Sequence, residues 1–208
     1  MTSREVPTPL GPARVHGTEP DGAVTGTLVL GHGAGGGVGS ADLSAVAAAG
    51  GRAGWRVLLV EQPWRVAGRR IAPAPPRLDE GWTAVLREVR DQLTGPLVLG
   101  GRSAGARVAC RTASALGAAG VLGLAFPLHP PGRPEKSRAA ELRGVDVPLL
   151  VVQGRTDAFG GPAEVEAALA GHPGTVRAVP GDHALAKDPG AVAAAVVDWL
   201  GWLRDQAA

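Results

Sequence analysis

The stretch Leu97-Val98-Leu99-Gly100-Gly101-Arg102-Ser103-Ala104-Gly105 decides the fold of this chain. An apolar run ends on G-x-S-x-G and passes into a helical pattern, which predicts a strand, a very tight turn and a helix. Gly101 and Gly105 carry no Cβ, so strand and helix can close around the turn. Such a turn lifts the Ser103 hydroxyl above a sheet and leaves the N–H of Ala104 free at a helix start. That N–H and the helix dipole are suited to stabilising an oxyanion.

Working outward, short apolar runs alternate with helical patterns. Strands are expected at 25–30, 55–60, 96–99, 121–126, 148–152 and 175–179. Helices are expected at 42–51, 78–93, 104–116, 163–169 and 191–203. In the last helix Val192, Val196, Leu200 and Leu203 follow a 3.6-residue period. This alternation argues for an α/β fold, a mostly parallel sheet with helices on both faces. The whole chain, 1–208, reads as one domain, with the Pro-rich residues 1–11 as a loose N-terminal arm. Ligands of such sheets bind at the carboxyl ends of the strands.

Three later segments follow the serine at such ends. After the strand at 148–152 comes Gln153-Gly154-Arg155-Thr156-Asp157, and after the strand at 175–179 comes Gly181-Asp182-His183. The order serine, acid, histidine suits nucleophilic catalysis on a parallel sheet. Ser103 is the candidate nucleophile, His183 the base and Asp157 the residue that orients the imidazole. Asp182 is the local rival, but a neighbour in sequence points poorly at the ring of His183. The strand at 25–30 runs into Gly31-His32-Gly33-Ala34-Gly35-Gly36-Gly37. In an acyl-transfer site this loop supplies the second oxyanion donor, assigned to the N–H of Ala34. Gly33 lets backbone approach substrate, and His32 is expected to hold the loop by hydrogen bonds. His16 and His172 lack a strand-end context and are expected at the surface.

The same loop admits a second reading. Gly31-x-Gly33-x-x-Gly36 after a strand, with Glu61 ending the next, matches a dinucleotide fingerprint. With 32 glycines in 208 residues the match is cheap, and it leaves Ser103, Asp157 and His183 unexplained.

Bulk properties exclude other classes. The formal net charge of +2 is too small to indicate nucleic acid, and no basic stripe interleaves with aromatics. No apolar run reaches the ~18 residues of a membrane span. A single cysteine, Cys110, fits a reducing compartment and a packed thiol. The expected location is the cytoplasm. No metal-ligand spacing is present, so neither metal nor cofactor is expected.

The run Ala125-Phe126-Pro127-Leu128-His129-Pro130-Pro131-Gly132-Arg133-Pro134-Glu135-Lys136 is unusual. Together with HGAGG, GGRSAGAR, QGRTDAFG and GDHAL it resembles the α/β-hydrolase-like group of testis-expressed protein 30 and of a subunit of the nonspecific-lethal acetyltransferase complex. More distantly it is similar to dienelactone hydrolases. The resemblance runs from residue 26 to the C-terminus. It implies an α/β-hydrolase fold without a substantial lid. Ser103, Asp157 and His183, in that order at strand ends, read as a serine hydrolase acting on an ester or thioester through an acyl-enzyme. Because the group includes a subunit regarded as a scaffold, a non-catalytic binding module is the alternative. Arg102 departs from the aromatic or histidine residue common before the serine of esterases. Arg102 and His129 are the expected substrate contacts, with His129 alternatively binding backbone in a Pro-rigidified turn. A small-molecule substrate is the expected partner: if Arg65, Arg69, Arg70, Arg133, Lys136 and Arg138 face the cleft they favour an anionic one, and the alternative is a solvated loop surface.

Overall fold

The structure is a computed structural model that describes residues 2–207. Eight strands form one sheet in the order β1-β2-β4-β3-β5-β6-β7-β8. Strands β3 (Gly26–Gly31), β4 (Trp55–Glu61), β5 (Leu97–Arg102), β6 (Gly120–Leu124), β7 (Leu149–Gly154) and β8 (Thr175–Val179) run parallel. Strands β1 (Thr2–Val6) and β2 (Ala13–Thr18) are antiparallel additions at one edge.

Side chains of successive strand residues point to opposite faces, and both faces are covered. Leu28, Leu30, Val57 and Leu59 pack with Leu43 and Val46 of α1 (Ala41–Arg52) and with Val192, Val196 and Leu200 of α7 (Pro189–Ala207). Val29, Leu58, Val60, Leu99 and Val151 pack the other way. Their partners are Trp82 and Val85 of α3 (Pro75–Glu88), Val108 of α4 (Ala104–Thr112), Leu142 of α5 (Ala139–Arg143) and Val165 of α6 (Pro162–Ala168). A short helix, α2 (Pro63–Val66), follows β4. The result is a three-layer sandwich, as the alternating pattern requires. Among the described residues no helix is long and apolar enough to cross a membrane.

The N-terminal segment is not the loose arm that its prolines suggest. Thr2–Val6 pairs with β2 from Thr2↔Gly17 to Val6↔Ala13, and β2 pairs in turn with β4. Arg14 bridges Glu5 and Glu61, at 3.2 and 3.4 Å, and so links three strands. The hairpin escapes a hydrophobic count because its inward residues are small: Ala13, Val15 and Gly17 in β2, and Val6 alone is buried in β1. Other differences are at element ends. The helix expected at 78–93 starts at Pro75, since proline is tolerated in a first helical turn, and stops at Glu88 before a 3₁₀ turn. The one expected at 104–116 breaks after Thr112 into a further 3₁₀ turn.

Candidate active site

Ser103 links β5 to α4 with φ 53° and ψ −108°, a region that a residue with a Cβ occupies only under constraint. The constraint comes from both sides. Ser103 N–H donates to Leu124 O (2.9 Å), and Ser103 O accepts the N–H of Arg107 (3.2 Å). A Cβ on Gly101 or Gly105 would collide with the backbone of Gly31, so only glycine lets β3 lie this close to the turn.

His183 follows β8, and its loop is held at Gly181, whose carbonyl accepts the N–H (3.0 Å) and hydroxyl (3.1 Å) of Thr156. His183 Nε2 is 2.9 Å from Ser103 Oγ, and Nδ1 is 2.8 Å from Asp157 Oδ2. A carboxylate only accepts, so Nδ1 carries the proton and Nε2 accepts from the serine hydroxyl. The Asp157 side chain is fully buried, and that of His183 is 21% exposed. Asp182 is not in the chain of contacts; its carboxylate caps its own turn through the N–H of Ala184.

Two residues that the sequence reading passed over complete the acid's surroundings. Gln153, fully buried in β7, donates from Nε2 to Asp157 Oδ2 (2.9 Å), Gly160 O (2.7 Å) and Phe126 O (3.2 Å). Its Oε1 accepts the N–H of Phe126 (2.9 Å). A glutamine inside the strand Leu-Leu-Val-Val-Gln-Gly was the available signal, because a buried amide needs specific partners. Phe159 donates its N–H to Asp157 Oδ1 (2.8 Å) and lays its ring on His183, with centroids 4.2 Å apart.

Across from the serine, Gly33 is so close that a Cβ there would lie 3.4 Å from Ser103 Cβ. A turn from Gly33 O to Gly36 N–H (3.3 Å) shapes the loop. His32 pins it: Nε2 accepts the N–H of Gln62 (3.1 Å), so Nδ1 carries the proton and donates to Gly33 O (2.9 Å). Burial lowers the basicity of His32, while its bond to Gly33 O opposes that, and the neutral tautomer fits both partners. The N–H groups of Ala34 and Ala104 donate to no protein acceptor among the described residues.

Arg102 and His129, expected against substrate, spend most of their polar atoms on the scaffold. Arg102 Nε is 3.4 Å from the carboxylate of Asp42, and Nη2 donates to His183 O (3.2 Å). Its remaining Nη1 lies by Gly33 and Gly36. His129 donates from Nδ1 to Pro130 O (2.9 Å) and from Nε2 to Glu164 (3.0 Å). Its backbone N–H reaches Phe159 O (3.0 Å), tying this loop to the acid loop. Both ring nitrogens face acceptors, chiefly the Pro130 carbonyl, and these raise the basicity of His129. Arg138 likewise donates to Pro127 O (2.7 Å), while Arg69, Arg70, Arg133 and Lys136 are exposed. His16 and His172 are half-buried rather than at the surface. His172 bonds Val145 O and Gly174 N–H, and His16 approaches Glu61. Glu61, the acid of the dinucleotide reading, is engaged by Arg14.

A family model described as alpha/beta hydrolase domain matches residues 24–191. Among solved structures the chain is similar to an alpha-beta serine hydrolase homologue from Coxiella burnetii, at 21% identity and TM-score 0.77, covering 100% of this chain and 97% of that one. It is similar to a serine hydrolase without lid from Xanthomonas campestris, at 24% identity and TM-score 0.76, covering 95% and 94%. It also resembles Est1E from Butyrivibrio proteoclasticus, at 13% identity and TM-score 0.81, covering 97% and 98%. A search of the curated proteins finds no match.

Proposed function

The chain belongs to the alpha/beta hydrolase domain family, and on that premise we propose that it is a lidless serine hydrolase that cleaves an ester or thioester through an acyl-enzyme. The observation that carries this reading is the unbroken hydrogen-bonded line from Ser103 through His183 to buried Asp157, at 2.9 and 2.8 Å. In this reading Ser103 Oγ attacks the carbonyl carbon while its proton passes to His183 Nε2. The oxyanion takes hydrogen bonds from the N–H groups of Ala34 and Ala104. His183 then gives the proton to the leaving alkoxide or thiolate, and the acyl group stays on Ser103. Water attacks next, losing a proton to His183, and the acid departs as the proton returns to Ser103. Asp157 holds the imidazole in the required tautomer and stabilises the imidazolium.

The partner in this proposal is a small molecule, with Arg65, Arg69 and Nη1 of Arg102 favouring an anionic one. Kinship with the testis-expressed protein 30 group and with dienelactone hydrolases, and a cytoplasmic location, belong to the same proposal.

Intact-mass labelling with a fluorophosphonate tests it. One adduct on the wild type, absent from Ser103→Ala and His183→Ala, is expected. A folded wild type that takes no adduct would instead favour a binding module.

A further inference from the structure

The sequence has two phenylalanines. Phe126 is fully buried in the core. Phe159 is half-buried and lies on a polar ring instead. Both nitrogens of His183 are engaged in the plane of the imidazole, Nε2 with Ser103 Oγ and Nδ1 with Asp157. That leaves the two faces of the ring, and Phe159 covers one, with centroids 4.2 Å apart and planes 30° from parallel. Aromatic pairs usually sit at about 4.5–7 Å, so this is a close, face-on contact. We propose that Phe159 is a positioning residue that acts through His183: its ring stabilises the imidazolium formed when the proton leaves Ser103. This inference rests on the hydrolase reading above.

The backbone fixes where the phenyl ring goes. Phe159 N–H donates to Asp157 Oδ1 (2.8 Å), and Phe159 O accepts the N–H of His129 (3.0 Å). The next residue, Gly160, has φ 122°. Its N–H donates to Asp157 O (3.2 Å), and its carbonyl accepts from Gln153 Nε2 (2.7 Å). A Cβ on Gly160 would lie 2.8 Å from Leu128. The segment that carries the carboxylate therefore carries the phenyl ring as well, and both converge on one imidazole.

The chemistry follows from where charge appears. In the resting hydrogen-bonded line the imidazole of His183 is neutral, because Nε2 accepts from the serine hydroxyl. It becomes positive as Ser103 attacks the carbonyl carbon, and again as water attacks the acyl-enzyme. Each time it loses the charge when the proton moves on. The face of a phenyl ring is the negative end of its quadrupole and attracts a cation within about 6 Å. The attraction is stronger for imidazolium than for imidazole. It therefore favours the transition state over the resting state, and only such a difference speeds a reaction. Asp157 meets the same charge in the ring plane at Nδ1. Phe159 meets it at the face, and a phenyl ring has no polar atom to compete with Ser103 for Nε2.

The test varies the charge on the ring face at nearly constant shape. Phenylalanines bearing one, three or five fluorines are placed at position 159 by amber suppression, and each fluorine withdraws density from the face. Fluorophosphonate labelling rate, kcat for para-nitrophenyl acetate and a thermal melt are measured for each, and for Phe159→Tyr and Phe159→Leu. A cation–π contact is worth roughly three- to thirtyfold in rate. The expected labelling rate falls stepwise with fluorine number, to at least about threefold below wild type at five, with Tm unchanged. The kcat follows it. Phe159→Tyr keeps the wild-type rate within about twofold, and Phe159→Leu loses as much as the fully fluorinated ring. A labelled wild type whose rate is flat across the fluorine series overturns the role of Phe159, as does a loss that only tracks Tm. A folded wild type that neither labels nor cleaves overturns the hydrolase reading and this inference with it.

Discussion

Arg102 holds the main chain of His183: its Nη2 donates to the His183 carbonyl at 3.2 Å, and its Nε pairs with the fully buried carboxylate of Asp42 at 3.4 Å. The residue before Ser103 thus braces the backbone of His183. Removing one member of such a pair leaves a buried charge alone, at a cost of about 3 kcal/mol. Arg102→Ala is therefore expected to lose about that much stability in urea denaturation, and to label more slowly with fluorophosphonate. Asp42→Asn in the same background should restore part of the stability, because the uncompensated carboxylate is gone.

Glycines of the two loops separate into required and incidental ones. A Cβ on Gly105 meets the carbonyl of Gly31, whereas one on Gly35 meets nothing within 4 Å. Gly105→Ala should cost about 3 kcal/mol through forced overpacking. Gly35→Ala should be neutral within about 0.5 kcal/mol. Thermal melts of the two variants side by side check this.

Gln153 holds Asp157, which in turn holds the ring of His183. Gln153→Leu would leave Asp157 Oδ2 one donor short and the Phe126 N–H unpaired. The stability cost is about 2 kcal/mol. A displaced carboxylate lets the His183 ring wander, and a misplacement of about 1 Å costs roughly a hundredfold in rate. Asp157→Asn, which favours the wrong tautomer, should cost about ten-thousand-fold in kcat. The rate of fluorophosphonate labelling reads both.

The His129–Glu164 pair sets a pH window for stability. Bonds to the Pro130 carbonyl and to Glu164 raise His129 above 6.5, so its contribution is full below that value and fades as pH rises through the folded-state pKa. The Gly161 N–H, then His129, lower Glu164 below 4.5, so its contribution is full above that value and fades as pH falls through the folded-state pKa. Glu164→Gln should therefore differ most from wild type between about pH 4.5 and 6.5. Because the Glu164 side chain is 55% exposed, water weakens the pair, and the expected Tm difference is at most about 3 °C.

Cys110 is buried in α4, and burial pushes its thiol up to about 12. The thiolate is the reactive form. Native protein at pH 8 should resist iodoacetamide over hours, and unfolded protein should react in minutes, as mass spectrometry would record.

The parallel core and the serine, acid and histidine were legible because each has a local signature: a continuous apolar strand followed by a glycine-bounded turn or a polar strand end. The β1–β2 hairpin was not, because its pairing partner is β4, forty residues on, and its own inward residues are too small to mark a face. Charge alone points Arg102 at a substrate, and the Pro-rich turn leaves His129 between pocket and backbone. Their partners, Asp42, the His183 carbonyl and Glu164, come from distant segments that no local pattern connects to them. Gln153 follows the expected strand at 148–152 and carries no local signature of its partners, because its work depends on Phe126, twenty-seven positions earlier.

The contact between Ser103 and His183 joins residues 80 positions apart, and that between His183 and Asp157 spans 26. Ser103 follows the interior strand β5, Asp157 follows β7 and His183 follows the edge strand β8, so β5 to β8 must already be in register. Contacts this far apart in sequence form late, after the chain entropy of the intervening loops has been lost. Nucleophilicity at Ser103 would then be among the last properties acquired during folding. An activity-directed probe added during refolding would count completed molecules and ignore collapsed, partly ordered ones.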